Sequence, residues 1–371
     1  MNEPNPNPPP AGVDDARLAA AAADVRERVT SYRYFDAPLY AALAERLAQD
    51  RDLLALVARV RAGQPYCYFF MNAVHAALME RPGEPLAAFY ASLTPAPRPP
   101  GEAWPVFREF CLRHAARILE ILATRTVQTT FVDRAAVVLL ALDHVARRAG
   151  APLTLIEVGC SAGLMLLFDE YRYDFGTGGT LGDPDAPLCL APRFLGTAPQ
   201  APARMPKIRA RTGIDLLAFD PHSREQCEWI DAMMFADWVE PRRRLRAALE
   251  LRRRRTLDVV VGDALEHLPR LIAAAGGPVC VLHANCLYQW PAEAVARFER
   301  LLCDAARERP FDRVSIEWPY YWPRTRLDAV YARGEVPPTE ILHSAYAAGA
   351  AGPATLLGTC EGNARWIRWG G

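Results

Sequence analysis

The chain has 371 residues, 51% hydrophobic and 23% charged, enough apolar sequence for a large core and ordinary for a globular chain of two domains. Its 43 basic residues balance 43 acidic ones, and this neutrality argues against a general nucleic-acid binder. The nine cysteines are scattered without a C-x-x-C pair or zinc spacing, so no metal site is expected and the thiols read as reduced and mostly buried, as in a cytoplasmic protein.

The opening MNEPNPNPPPAG is polar and proline-dense, with neither a basic n-region nor an apolar core, and residues 1–12 read as a disordered tail. No apolar run is longer than 135–142, far too short to span a bilayer, so no membrane partner is expected. Residues 13–150 read as an all-helical domain that caps the site. Alanine and leucine recur there at helical spacing, broken at Pro82-Gly83, at 95–101 and at Gly150.

From residue 151 onward strands alternate with helices. The expected strands are 153–158, 208–214, 257–261, 279–283, 313–318, 354–359 and 365–369. Helical patterns follow Gly163 and cover 225–251, 264–275 and 291–307. Such alternation predicts a mostly parallel sheet with helices on both faces. The last two strands are about five residues apart, around Glu361-Gly362-Asn363, which predicts an antiparallel hairpin. The expected architecture is therefore α/β: a Rossmann-like, seven-stranded sheet over 151–371 with a C-terminal antiparallel hairpin, behind the helical domain. The Pro/Gly-rich stretch 176–206 reads as an insertion near the mouth of the site.

The most informative segment is LTLIEVGCSAG, residues 153–163: a buried strand, then a turn of small residues, then LMLLFDEY, which can start a helix at once. Strand, small-residue turn and helix bring a ligand close to backbone at the carboxyl edge of a sheet. Glu157-x-Gly159-x-Ser161-x-Gly163 resembles the first motif of class I S-adenosylmethionine (SAM)-dependent methyltransferases, with serine for the middle glycine. Gly159-x-Ser161-x-Gly163 also spells the nucleophile elbow of serine hydrolases, and a Ser161, Asp263, His283 triad can be drawn. A tight turn without a ligand would use the same residues. Strand order weighs against the hydrolase, because its elbow follows several strands and this one follows the first.

The chain also resembles the bacterial family named domain of unknown function 2332 over nearly its whole length. Val127, Gln128, Thr129 and Arg134 match a V-Q-T-N-E-x-x-R pattern, with Thr130 and Phe131 in place of Asn-Glu. Glu157, Gly159, Ser161, Ala162, Gly163 and Leu164 match E-x-G-x-S-A-G-L-N-L, with Met165 in place of asparagine. Asp169, Tyr171, Tyr173 and Gly176 match D-x-Y-x-Y-x-x-G. The resemblance implies a SAM-methyltransferase-like domain behind a helical one and supplies no reaction.

A SAM site would use Gly159, Ser161 and Gly163 for close approach to backbone and Glu157 for the cofactor's ammonium. Asp215, after the second strand, would take the ribose hydroxyls, and Asp263 with Ala264 the adenine. Asp215 and Asp263 could instead cap the helices that follow. His283 and Asn285, ending the fourth strand, would face the methyl, with His283 as a base or as a buried histidine bonded to backbone. Tyr171, Arg172 and Tyr173 would line an acceptor pocket, and Gln128 and Arg134 would close it. Arg242 to Arg246 and Arg252 to Arg255 form the strongest basic cluster and read as a solvated helix face. Trp318, Tyr320, Tyr321 and Trp322 could stack a planar acceptor or pack the domains together. The expected activity is SAM-dependent methyl transfer to a small molecule; the alternatives are a non-catalytic SAM-fold binding or regulatory protein and a serine hydrolase using Ser161. Oligomeric state is not readable.

Overall fold

A computed structural model of the protein describes residues 14–319, 321, 325–326, 330, 333 and 335–370. The expected tail over 1–12, and Tyr320 and Trp322 of the aromatic run, lie outside the described residues. The chain divides into two compact units: Met1–Thr129 with Arg224–Arg243 and Gly334–Val336, and Thr130–Ser223 with Arg244–Arg333 and Pro337–Gly371.

The first unit is helical, but its bounds differ from the expected 13–150 block: residues 135–149 fall in the second unit and Arg224–Arg243 joins the first. It contains α1 (Asp15–Tyr34), α2 (Pro38–Leu47), α3 (Arg51–Val57), α4 (Tyr66–Met79), α5 (Trp104–Arg113) and α6 (Ala115–Thr124). Asp14 and Asp50 accept from the backbone N–H groups of Arg17 and Leu53, so α1 and α3 start on side-chain caps. Ten of the 14 residues of α4 are buried, which makes it the central helix rather than one with a solvated face. α8 (Arg224–Ala232) and the turn after it also belong to this unit. Phe235 meets the rings of Tyr32, Tyr40 and Trp238 edge-on, and the Trp229 indole donates to the Thr126 carbonyl.

The second unit begins with α7 (Ala135–Ala149), ended by Gly150 in the left-handed conformation. Its main sheet holds β1 (Leu153–Val158), β2 (Ile208–Asp215), β3 (Asp258–Val261), β4 (Val279–Ala284), β5 (Phe311–Glu317), β6 (Thr339–Ala347), β7 (Ala350–Ala351), β8 (Thr355–Cys360) and β9 (Ile367–Trp369). The order is β3-β2-β1-β4-β5-β6-β8-β9, with β7 pairing β6 at the side. β1 to β5 are parallel and β6, β8 and β9 antiparallel. The first five strands thus run 3-2-1-4-5, the doubly wound order, whose topological switch lies between β1 and β4. α9 (Val239–Arg253), α10 (Ala264–Ala274) and α11 (Ala292–Glu308) supply helices between strands.

Two expectations change. The sheet has nine strands rather than seven, because 339–347 and the two-residue 350–351 are also strands. Its inward positions 339, 341 and 343 are Thr, Ile and His, so the alternation that marks a strand is blurred. The segment after Gly163 is not an α-helix. Residues Met165–Glu170 form a 3-10 turn and Arg172–Asp174 a short strand paired with Thr180–Leu181 and Cys189–Leu190. Met165 to Phe168 are all buried, so this segment has no polar face to offer an amphipathic helix. The 176–206 insertion is held to the outer strand by a parallel bridge from Phe194 to Ile367.

Tyr171 and Tyr173 anchor that segment. Their phenols donate to the Leu164 and Phe168 carbonyls at 2.9 and 2.6 Å, and both rings are fully buried. Arg211 of β2 makes a two-pronged contact with Asp169 and a third bond to the Leu166 carbonyl. Tyr173→Phe leaves the Phe168 carbonyl without its donor and should cost about 1–2 kcal/mol. The measurement is the urea midpoint at unchanged slope; an unmoved midpoint would show that the phenol is not needed to hold the segment.

Candidate functional site

β1 delivers Glu157 and then the turn. Gly159, Ser161 and Gly163 have φ of 73°, 50° and 74°, and two of these three left-handed positions carry glycine. The space beside the glycines is already filled: a Cβ on Gly159 would stand 2.5 Å from Cys286 Sγ, and one on Gly163 would stand 2.7 Å from Leu257 Cδ1. The glycines are therefore required by the protein's own packing. Asp215, ending β2, clasps the turn: its Oδ2 accepts from the Ser161 N–H at 2.8 Å and its Oδ1 from the Leu217 N–H at 3.1 Å. Asp263 caps α10 through the Leu265 N–H, with Ala264 as the first, buried, helical residue.

Among the described residues, Glu157 Oε2 and Ser161 Oγ are buried and have no hydrogen-bond partner. Burial pushes the Glu157 carboxyl well above its ordinary range; Arg134 nearby pulls the other way and Asp215 adds to the rise. Arg134, just ahead of α7, is buried; its Nη1 donates to the Ala284 carbonyl at 3.1 Å and its Nε has no partner.

His283 corrects the expectation of a base. It is fully buried, Arg313 Nε donates to its Nε2 at 2.9 Å, and its Nδ1 lies 2.8 Å from Glu317 Oε1. An arginine only donates, so Nε2 is the acceptor and Nδ1 carries the proton given to Glu317. Burial lowers the pKa of His283, as does the Arg313 charge. The ring is neutral and locked. Asn285 sits at φ 50°, its Nδ2 donating to the Gly362 carbonyl at 2.6 Å and its Oδ1 without a partner.

The serine-hydrolase triad does not form. Ser161 Oγ has no partner, both His283 nitrogens are engaged, and Asp263 caps a helix. The acceptor pocket expected at Tyr171 and Tyr173 is corrected too, since both phenols are spent on backbone carbonyls inside the core; Arg172, half-buried between them, donates to the Pro184 carbonyl at 3.4 Å. Gln128 lies in the first unit, its N–H on Met233 Sδ, whereas Arg134 lies in the second. The basic cluster is not one solvated face. Arg242 is buried on Asp231, and buried Arg252 donates through Nε to the Ala162 carbonyl inside the turn.

Glu317 is the residue that sequence reasoning missed. It is buried at the end of β5, its Oε1 accepts from His283 and from the N–H groups of Cys286 and Leu287, and its Oε2 is unpartnered. Its strand reads FDRVSIE, where Asp312, Arg313 and Ser315 already interrupt the apolar residues, so Glu317 does not stand out as Glu157 does inside its apolar run. Among the described residues no group of His, Cys, Asp and Glu is arranged to hold a metal, and no helix is long and apolar enough to cross a membrane.

Fold and site together define an α/β chain with a mostly parallel sheet, C-terminal antiparallel strands and a cluster of unsatisfied buried polar atoms at its carboxyl edge. The chain belongs to the family described as uncharacterized protein conserved in bacteria (DUF2332), whose model matches residues 22–369. No curated protein and no solved structure matches it.

The raised Glu157 carboxyl has a stability consequence. The folded state holds that proton above the unfolded value of about 4.3, so this group's contribution to stability falls as pH rises from there through the raised folded value. Glu157→Met removes the titration and keeps the volume. It should raise the melting temperature at pH 8 and lose that advantage toward pH 4. A gain independent of pH would show that Glu157 does not hold a proton in the folded state.

Proposed function

We propose that the chain binds S-adenosylmethionine at the carboxyl ends of β1, β2 and β3 and transfers its methyl group to a small-molecule acceptor. The observation that carries this reading is Glu157 Oε2, buried and unpartnered immediately before a left-handed turn at the switch point of a doubly wound sheet. A buried carboxylate without a cation takes up a proton; a ligand that brings a cation replaces that proton. The ammonium end of SAM supplies one, and Glu157 would accept from it. Asp215, which ends β2 and accepts from the Ser161 and Leu217 N–H groups, would accept from the ribose hydroxyls. Asp263 and Ala264, at the start of α10, would border the adenine, and Ser161 Oγ the ligand's middle.

The bound cofactor would supply an electrophilic methyl on a sulfonium. In-line attack on it needs positioning above all, so a locked His283 is compatible with transfer. The same lock supports a second reading, in which the chain binds the cofactor and acts without turnover.

Calorimetry with SAM and S-adenosylhomocysteine should show binding accompanied by proton release, read as a dependence on buffer ionisation enthalpy, because Glu157 ionises. Asp215→Ala should weaken binding tenfold or more, about 1.4 kcal/mol. No binding of either ligand at millimolar concentration would remove the reading. A mass gain of one methyl in a metabolite extract separates the enzyme from the binding protein.

A further inference from the structure

The adenosyl reading uses Glu157, Ser161 and the ends of β2 and β3. It leaves a second group of unsatisfied atoms on the other side of the switch, at the ends of β4 and β5. Arg134 is 6% exposed, its Nε is unpartnered, and its Nη1 donates to the carbonyl of Ala284, the last residue of β4. No carboxylate among the described residues lies within ion-pair distance of it; its guanidinium stands over the Phe131 ring, 5.3 Å from the centroid. The bond to Ala284 puts its guanidinium at the end of β4. Glu317 is 1% exposed with one oxygen held by three donors and the other by none. Asn285 Oδ1 is a further unsatisfied acceptor at the same strand end.

A buried guanidinium without an anion and a buried carboxylate oxygen without a donor each carry a desolvation penalty that their own chain does not offset. One ligand relieves both if it brings a carboxylate for the arginine and an amino group for the glutamate. We propose that Arg134, Asn285 and Glu317 form the recognition site of a second small ligand, a zwitterion of the α-amino-acid type. Arg134 takes the carboxylate, and Glu317 Oε2 with Asn285 Oδ1 accepts from the ammonium. His283 and Arg313 are positioning residues: they fix Glu317 Oε1, so that Oε2 presents a single orientation. This deepens the function proposed above by naming the acceptor's chemical class, and it rests on that reading only for calling the ligand an acceptor.

The test is thermal shift and calorimetry on the full chain with the twenty proteinogenic L-amino acids, each with and without S-adenosylhomocysteine. The decarboxylated amine and the deaminated acid of any binder serve as controls. At least one amino acid should bind, both controls should bind tenfold or more weakly, and Arg134→Gln and Glu317→Gln should each weaken the amino acid tenfold while S-adenosylhomocysteine stays within threefold. Should Arg134→Gln fail to fold, Arg134→Lys keeps the charge and loses the fork, and the same tenfold loss is expected. Amino-acid binding without S-adenosylhomocysteine binding keeps this site and removes the cofactor reading. S-adenosylhomocysteine binding without any amino-acid binding does the reverse. Loss of S-adenosylhomocysteine rather than amino acid in the Arg134 and Glu317 variants would overturn the assignment, because the clamp would then belong to the cofactor.

Discussion

Three ionisable side chains, Arg134, Glu157 and Glu317, are buried at the carboxyl edge of a parallel sheet with polar atoms left unsatisfied, and the surrounding structure is organised to hold them there. A parallel sheet covered on both faces has little room for charge, and each such group costs free energy unless something meets it. Glu317 is met on one oxygen by an imidazole and two backbone N–H groups. The imidazole is held by Arg313, and Arg313 by Glu299 and the Tyr346 hydroxyl. That chain of contacts runs from the outer layer to the strand ends and leaves one oxygen of Glu317 open. Buried polar networks rigidify when they are complete, and this one is complete except at its inner end.

The turn after β1 is held by comparable means. Asp215 grips it through the Ser161 N–H, Arg252 through the Ala162 carbonyl, and Cys286 fills the space beside Gly159. No α-helix follows it, so helix-dipole stabilisation of an anion, the usual benefit of such a turn, is absent. The turn shapes the edge of the site and offers backbone, and charge recognition falls to the buried side chains. This is a reason to expect a cationic or zwitterionic ligand rather than a phosphate.

The D-x-Y-x-Y motif shows how a sequence pattern can be functional in appearance and structural in use. Asp169, Tyr171 and Tyr173 bind Arg211, the Leu164 carbonyl and the Phe168 carbonyl respectively. They replace the missing helix as the support under the turn. A tyrosine or arginine in a motif says only that a hydroxyl or guanidinium is wanted; whether backbone or ligand receives it depends on what the fold brings alongside.

The helical first block, the parallel strands, the closing antiparallel pair and the special nature of residues 157–163 were legible in the sequence, because each rests on local periodicity or on the rarity of a carboxylate inside an apolar run. The β6 strand was hidden because Thr339 and His343 face inward and carry no apolar signature. That α8 and its aromatic turn complete the first unit was not readable, since nothing local distinguishes Trp229, Phe235 and Trp238 from residues of the sheet domain. The state of His283 depended on Arg313 and Glu317, 30 and 34 residues away, and on strand register setting His283 beside Ser315. Periodicity tells which face of an element is buried; only the tertiary structure decides which buried polar atoms find one another, because that is fixed by register and strand order between segments far apart in the chain.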